Sequence, residues 1–183
     1  MRKMMMFTVI LSCVIGCTSS KAPSEAEISQ LQDFMQQKSF EFNADWANPM
    51  ATRSLNSISN AGLFPPGSNA GRINLIGNPN YLRVKGDSVS GYLPYYGERQ
   101  FNAGFGSASG IEFDGVAESY TGAYDSKEKA YKIQFKTRNN AERYTFIMLI
   151  YPNKKANVSV ASSDRFSIRY DGDVKELDTN KNQ

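Results

Sequence analysis

From residue 111 onward, apolar and polar residues alternate in one run after another, and this period of two constrains the fold more than any other feature. The runs are Ile111–Val116, Glu118–Tyr124, Ala130–Thr137, Arg143–Tyr151, Ala156–Ala161 and Arg165–Tyr170. Successive side chains of an extended chain point to opposite faces, so each run can bury one face and wet the other. Turn residues separate them at Asp125-Ser126-Lys127, Arg138-Asn139-Asn140, Pro152-Asn153-Lys154, Ser162-Ser163-Asp164 and Asp171-Gly172. Such turns are too short for a crossover helix, which makes sequential strands antiparallel neighbours. Upstream, Phe40–Ala44 alternates until Asn48-Pro49, and Tyr81–Lys85 turns at Gly86-Asp87 into Ser88–Tyr92 as a hairpin. Residues 50–60 read as a further short strand, and residues 62–71 and 97–110 as loops rich in Gly, Asn and Ser. The expectation is a mainly β domain of about nine to eleven strands, either a β-sandwich or a barrel-like antiparallel meander. Ten Tyr and eleven Phe suit half-buried sheet surfaces.

One helix precedes the strands. Ser24 stands three residues before Glu27, as a capping box requires, and Ile28, Leu31, Phe34 and Met35 recur at helical spacing, predicting a helix over 24–38. The single domain is expected over 24–176, with 177–183 a flexible tail.

Residues 1–16 read as a lipoprotein signal peptide. Arg2 and Lys3 form a basic start, and Met4–Ile15 an apolar stretch too short to span a bilayer. Val14-Ile15-Gly16-Cys17 then resembles the lipobox of bacterial lipoproteins, with cleavage after Gly16 and lipid on Cys17. More than one acyl chain is needed for firm anchoring, since each buried CH₂ contributes about 0.8 kcal/mol. Residues 17–23 form a polar tether. No acidic run follows the cysteine. The expected location is therefore the cell envelope, lipid-anchored in the outer membrane and facing the periplasm.

Composition removes several chemistries. The sequence has no histidine, so imidazole triads and histidine metal sites are excluded. Its two cysteines are Cys13, within the signal segment, and Cys17, so a processed domain has no disulfide or thiolate metal site. Arg2 and Lys3 account for two of 21 basic residues, which leaves a processed chain nearly neutral against 18 acidic ones. Such a balance argues against nucleic-acid binding. No phosphate-binding, dinucleotide or nucleophile-elbow pattern is present, so no cofactor is expected.

The candidate ligand or partner surface is the run Tyr92-Leu93-Pro94-Tyr95-Tyr96-Gly97. In a strand Tyr92, Pro94 and Tyr96 share one side, and Pro94 marks an edge or a strand end. Tyrosines there can stack on sugar rings, grip an apolar ligand, or form a buried corner with bonded hydroxyls. Glu112 and Asp114 also share a face, and paired carboxylates can hydrolyse glycosides, although acids two apart on an outward face are ordinarily solvated.

The chain resembles the Bacteroidetes lipoproteins grouped as domain of unknown function 4251. The resemblance rests on Phe42 with Ala44 and Pro49, the Val84–Val89 hairpin, the Leu-Pro-Tyr-aromatic-Gly run, Gly110–Gly115, and Arg165–Gly172. It implies an envelope lipoprotein with a β-rich fold and carries no catalytic residues. The expected function is a non-enzymatic binding module for a small apolar or glycan ligand or a partner protein. The alternatives are a carboxylate-dependent hydrolase of envelope glycans and a purely structural assembly factor.

Overall fold

The alternating runs become strands of one large antiparallel sheet. The computed structural model describes residues 22–100, 110–140 and 142–177. The expectations for the signal segment, Gly16, Cys17, most of the tether and nearly all of the tail fall outside these residues. The strands are β1 (Ser39–Pro49), β2 (Ile73–Asn74), β3 (Tyr81–Lys85), β4 (Ser88–Pro94), β5 (Gly110–Val116), β6 (Ser119–Asp125), β7 (Ala130–Asn139), β8 (Glu142–Ile150), β9 (Lys155–Ser162) and β10 (Ile168–Glu176). Their order across the sheet is β5-β4-β3-β1-β10-β9-β8-β7-β6, with β2 paired to β1.

The sheet curls into a half-barrel whose concave face is the core. Phe113 on β5 meets Phe146 on β8 at 4.8 Å and Phe135 on β7 at 6.3 Å, although five and six strands respectively lie between them along the sheet. Phe135 and Phe146 stack at 4.6 Å. Glycine makes this approach possible: a Cβ on Gly91, which pairs with Phe113, would lie 2.7 Å from that ring. Phe40, Phe42, Leu82, Ile133, Val158 and Tyr170 complete a fully buried interior. Each such side chain contributes about 1.5–3 kcal/mol on leaving water.

The two edge strands are consecutive in the chain. Among the described residues β5 pairs only with β4 and β6 only with β7, yet two residues join them. The Ala117 N–H donates to the Asp87 carbonyl at 3.0 Å, and the Glu118 N–H to the Lys136 carbonyl at 2.8 Å. One extended segment thus changes partners at this point and draws the sheet edges together.

α1 (Glu25–Gln36) covers the end of the half-barrel at which β1 starts. Its capping box is formed: the Glu27 N–H donates to Ser24 Oγ at 3.3 Å, and the Ser24 N–H to Glu27 Oε2 at 2.7 Å. Leu31 and Met35 enter the core. Pro23 and Glu27 border a concavity of about 410 Å³ with Glu128 and the Tyr151–Asn153 turn.

Two sequence expectations are corrected. Residues 50–60 do not form a strand; Arg53–Asn60 is a second helix, α2, capped by Thr52 Oγ1 accepting from the Leu55 N–H at 3.3 Å and burying Leu55. Leu55 and Ile58 are three apart, which is helical spacing. Asp171-Gly172 is not a turn but the middle of β10. It lies opposite Ala44 and Trp46, where β1 carries a bulge at Asp45. A Cβ on Gly172 would overlap the Asn43 carbonyl oxygen, so the glycine serves close backbone approach. Beside the bulge β1 leaves β3, and the Asn80 side chain continues the ladder: Oδ1 accepts from the Ala44 N–H at 2.7 Å, and Nδ2 donates to the Ala44 carbonyl at 2.9 Å.

Candidate functional site

The tyrosine run lies at the end of the half-barrel opposite α1. Strand alternation on β4 sends Val89, Gly91 and Leu93 inward and leaves Tyr92 and Pro94 half-buried on the outer side. Tyr92 pairs laterally with Tyr81 and Glu112, and its ring covers Gly110, where a Cβ would lie 2.7 Å away. The Arg83 guanidinium sits 4.4 Å over the Tyr81 ring. Pro94 pairs with Gly110 at the strand's end, and its carbonyl accepts from the inward Tyr170 hydroxyl at 2.8 Å.

After Pro94 the chain crosses to the far side of the sheet. The Tyr95 hydroxyl lies 2.9 Å from the Glu98 carbonyl and 3.0 Å from the Phe166 carbonyl, donating between them. The Gln100 N–H donates to the Asp164 carbonyl at 2.8 Å, and Arg99 bridges Arg165. This crossing fastens β4 to the β9–β10 connection.

Beneath the Tyr95 ring, 5.0 Å from its centre, lies the guanidinium of Arg165. It grips Glu142 through both arms, Nε to Oε1 at 2.8 Å and Nη2 to Oε2 at 3.2 Å. The Arg165 side chain is 2% exposed and that of Glu142 12%, so this pair lies at the rim of the core, largely out of water. The Ser162 hydroxyl donates to Glu142 Oε1 at 2.6 Å, and Tyr144 adds a further hydrogen bond to this carboxylate. Burial pushes the Glu142 carboxyl up, but the bonds from Arg165, Ser162 and Tyr144 outweigh it and hold the group below its usual 4.5. Tyr144 is raised, first by burial and then by the neighbouring carboxylate. Tyr95 is raised by burial, Tyr96 by burial and then by Tyr92, and Tyr170 by burial and then by Tyr95. All of these phenols are therefore neutral donors near pH 7.

The fold thus brings Tyr92, Pro94, Tyr95 and Tyr96 together with Tyr170, Tyr144, Arg165 and Glu142. Tyr95 and the Pro94 carbonyl are committed to internal bonds, while Tyr92 and Tyr96 keep part of their rings in solvent. Sequence reasoning missed the Glu142–Arg165 pair. A signal existed: Glu142 shares the parity of Tyr144, Phe146 and Met148, so a carboxylate stands on the buried face and requires a partner.

The acids offer little to catalysis. Glu112, Asp114 and Glu118 are exposed on the sheet surface, and Glu118 pairs with Arg138 at 3.2 Å. The buried Glu41 is raised by desolvation, but Arg83 at 2.6 Å and Lys175 at 3.0 Å more than offset this and lower it. Glu41 and Glu142 are therefore ionised at neutral pH, and neither can serve as a general acid. Among the described residues no cluster of three or more acids, cysteines or histidines forms a metal site. No described helix is long and apolar enough to cross a membrane.

A family model described as "Domain of unknown function (DUF4251)" matches residues 22–174. The fold is similar to the crystal structure of a DUF4251 family protein from Bacteroides eggerthii DSM 20697, with a TM-score of 0.54 at 11% identity over 82% of this chain and 88% of that one. None of the curated proteins matches the sequence.

Proposed function

This chain belongs to the DUF4251 family, and from that premise we propose that it is an envelope lipoprotein acting as a non-enzymatic binding module. In this reading lipid on Cys17 anchors it after cleavage at Gly16, and Tyr92, Pro94, Tyr95 and Tyr96 form the surface that meets a protein or glycan partner. The observation that carries the reading is the placement of the tyrosines. The described chain enters the fold beside α1, at the β6–β7 and β8–β9 turns, whereas the tyrosine corner caps the other end. Strands of nine residues such as β8 and β10 separate these ends by about 30 Å before tilt. A tether at residues 17–23 would hold the first end toward a bilayer and present the tyrosines away from it.

The filled interior supports surface recognition over ligand enclosure. Phe113, Phe135 and Phe146 occupy the space where a barrel would hold a small molecule. Tyrosine and arginine are enriched where proteins meet, because flat rings cover much area at little entropic cost. The exposed Glu112 and Asp114 lend the hydrolase alternative no desolvated carboxylate.

Two measurements test the proposal. Mass spectrometry of the processed chain should find an acylated N-terminal Cys17; an unlipidated start at residue 18 or later would defeat the anchor. A photocrosslinking residue at Tyr96, in the producing cells, should give a discrete adduct that a Tyr92→Ala change weakens at least several-fold. Protease-sensitive added mass indicates a protein partner, and glycosidase-sensitive mass a glycan. No adduct, or one equally strong from Ser159 on another face, defeats the binding surface.

A further inference from the structure

We propose that β6 is a homodimerisation edge: it pairs antiparallel with β6 of a second copy, about a two-fold axis at Gly122. Among the described residues only one side of β6 is hydrogen-bonded, to β7. The other side has no strand partner among the described residues, and natural edges usually protect such a side with lysine, proline or a bulge. The strand reads Ser119-Tyr120-Thr121-Gly122-Ala123-Tyr124-Asp125 and contains neither lysine nor proline. Its register with β7 has no bulge. Thr121, Gly122 and Ala123 are exposed and border a concavity of about 470 Å³.

The sequence of the strand identifies its occupant. A two-fold interface must be self-complementary, and β6 is nearly palindromic about Gly122. Pairing it with itself sets Tyr120 against the copy's Tyr124, Thr121 against Ala123, and Ser119 against Asp125. No like charges meet. Lys136 flanks Ser119 in the observed register, on the same face. Ser119 is small, so Lys136 reaches across it toward the copy's Asp125, and the symmetry repeats this contact. The other sheet edge lacks these properties. Pairing β5 with itself about Phe113 would set Glu112 against the copy's Asp114, and opposed carboxylates are destabilising. β5 is therefore charge-protected and β6 is not.

Opposed residues of an antiparallel pair have Cα atoms about 4.5–5.5 Å apart, inside the disulfide range of about 4.4–6.8 Å. Full-length Thr121→Cys and Ala123→Cys chains with different tags, co-produced and oxidised in the envelope, should form a disulfide-linked species bearing both tags. Its yield should exceed that of Thr121→Cys with Ser159→Cys at least tenfold. Sedimentation of the detergent-solubilised wild type should give twice the protomer mass. Thr121→Lys/Ala123→Lys, which opposes lysines across the axis on an exposed face, should give one protomer that still unfolds in a single cooperative transition, with a melting temperature no longer dependent on protein concentration. A wild-type monomer, a dimer indifferent to the lysines, or mixed disulfide no greater than the control overturns the proposal.

Discussion

Ala117 and Glu118 are chain neighbours whose N–H groups bind opposite edges of the same sheet, one reaching Asp87 at 3.0 Å and the other Lys136 at 2.8 Å. Adjacent amides of a strand point in opposite directions, so one extended segment can serve β4 on one side and β7 on the other. The junction holds the two edges of the half-barrel at one corner. Ala117→Pro removes one of these donors. Its expected effect is a loss of about 0.5–1.5 kcal/mol, the net value of one hydrogen bond. Hydrogen exchange should accelerate in β5 and β6 and remain slow in β9 and β10. Uniform acceleration across the sheet would contradict this.

Gly172 and Gly115 provide a matched pair. A Cβ on Gly172 would overlap the backbone of β1 at its bulge, whereas one on Gly115 meets nothing within 4 Å. Gly172→Ala should lower stability by about 3 kcal/mol or more, since the obstacle is backbone and cannot rotate away. Gly115→Ala should stay within about 0.5 kcal/mol of wild type. Chemical denaturation of both variants checks the contrast.

The Glu142–Arg165 pair predicts non-additivity. Arg165→Met strands a carboxylate in a largely desolvated site and should cost about 3–5 kcal/mol. Glu142→Met/Arg165→Met removes both charges and should recover much of that loss, because replacing a buried pair by apolar groups is often close to neutral. A double variant as unstable as the sum of the two single changes would refute the pairing argument.

The same pair sets an acid dependence. The Glu142 carboxyl is held lower in the fold than its usual 4.5. A group depressed on folding contributes its stability fully above the unfolded value and loses it as pH falls through the folded one. Wild type should therefore lose stability steadily below about pH 4.5, and Glu142→Gln should flatten that slope. Glu41 is depressed as well, so a residual slope should remain. Melting temperatures from pH 7 downward measure the difference.

Two inward tyrosines should respond oppositely to loss of the hydroxyl. The Tyr120 hydroxyl is buried with no hydrogen-bond partner among the described residues, and burial, then the nearby Tyr131, pushes it up to about 12. Tyr170 donates to the Pro94 carbonyl. Tyr120→Phe should raise stability by about 1 kcal/mol, and Tyr170→Phe should lower it by about 1–3 kcal/mol, because a buried carbonyl loses its donor. Equal effects in thermal melts would argue against the assigned bonding.

The period of two told which side chains of β7, β8 and β9 face inward, because parity is local: Phe135 and Phe146 needed no partner strand to be read as core. The cap of α1 was equally local, since Ser24 and Glu27 lie within one turn. The sequence by itself therefore determined a sheet with one apolar face, a helix ahead of it, and the absence of histidine chemistry. Short turns also made β3 and β4, and β6 through β10, sequential neighbours, but only the tertiary structure decided that β1 lies between β3 and β10 and that β5 and β6 stand at opposite edges. Alternation records the face of a residue and not the identity of its hydrogen-bond partner, so neither the choice of a curled sheet over a sandwich nor the exchange at Ala117 and Glu118 was legible. Gly172 looked like a turn for the same reason: the backbone it accommodates belongs to β1, far off in the chain. The tyrosine run was visible from its composition, but Arg165 lies 23 residues beyond Glu142, and only folding brings that pair beneath Tyr95. Desolvation and backbone pairing act between distant segments, and those are the forces that made this corner.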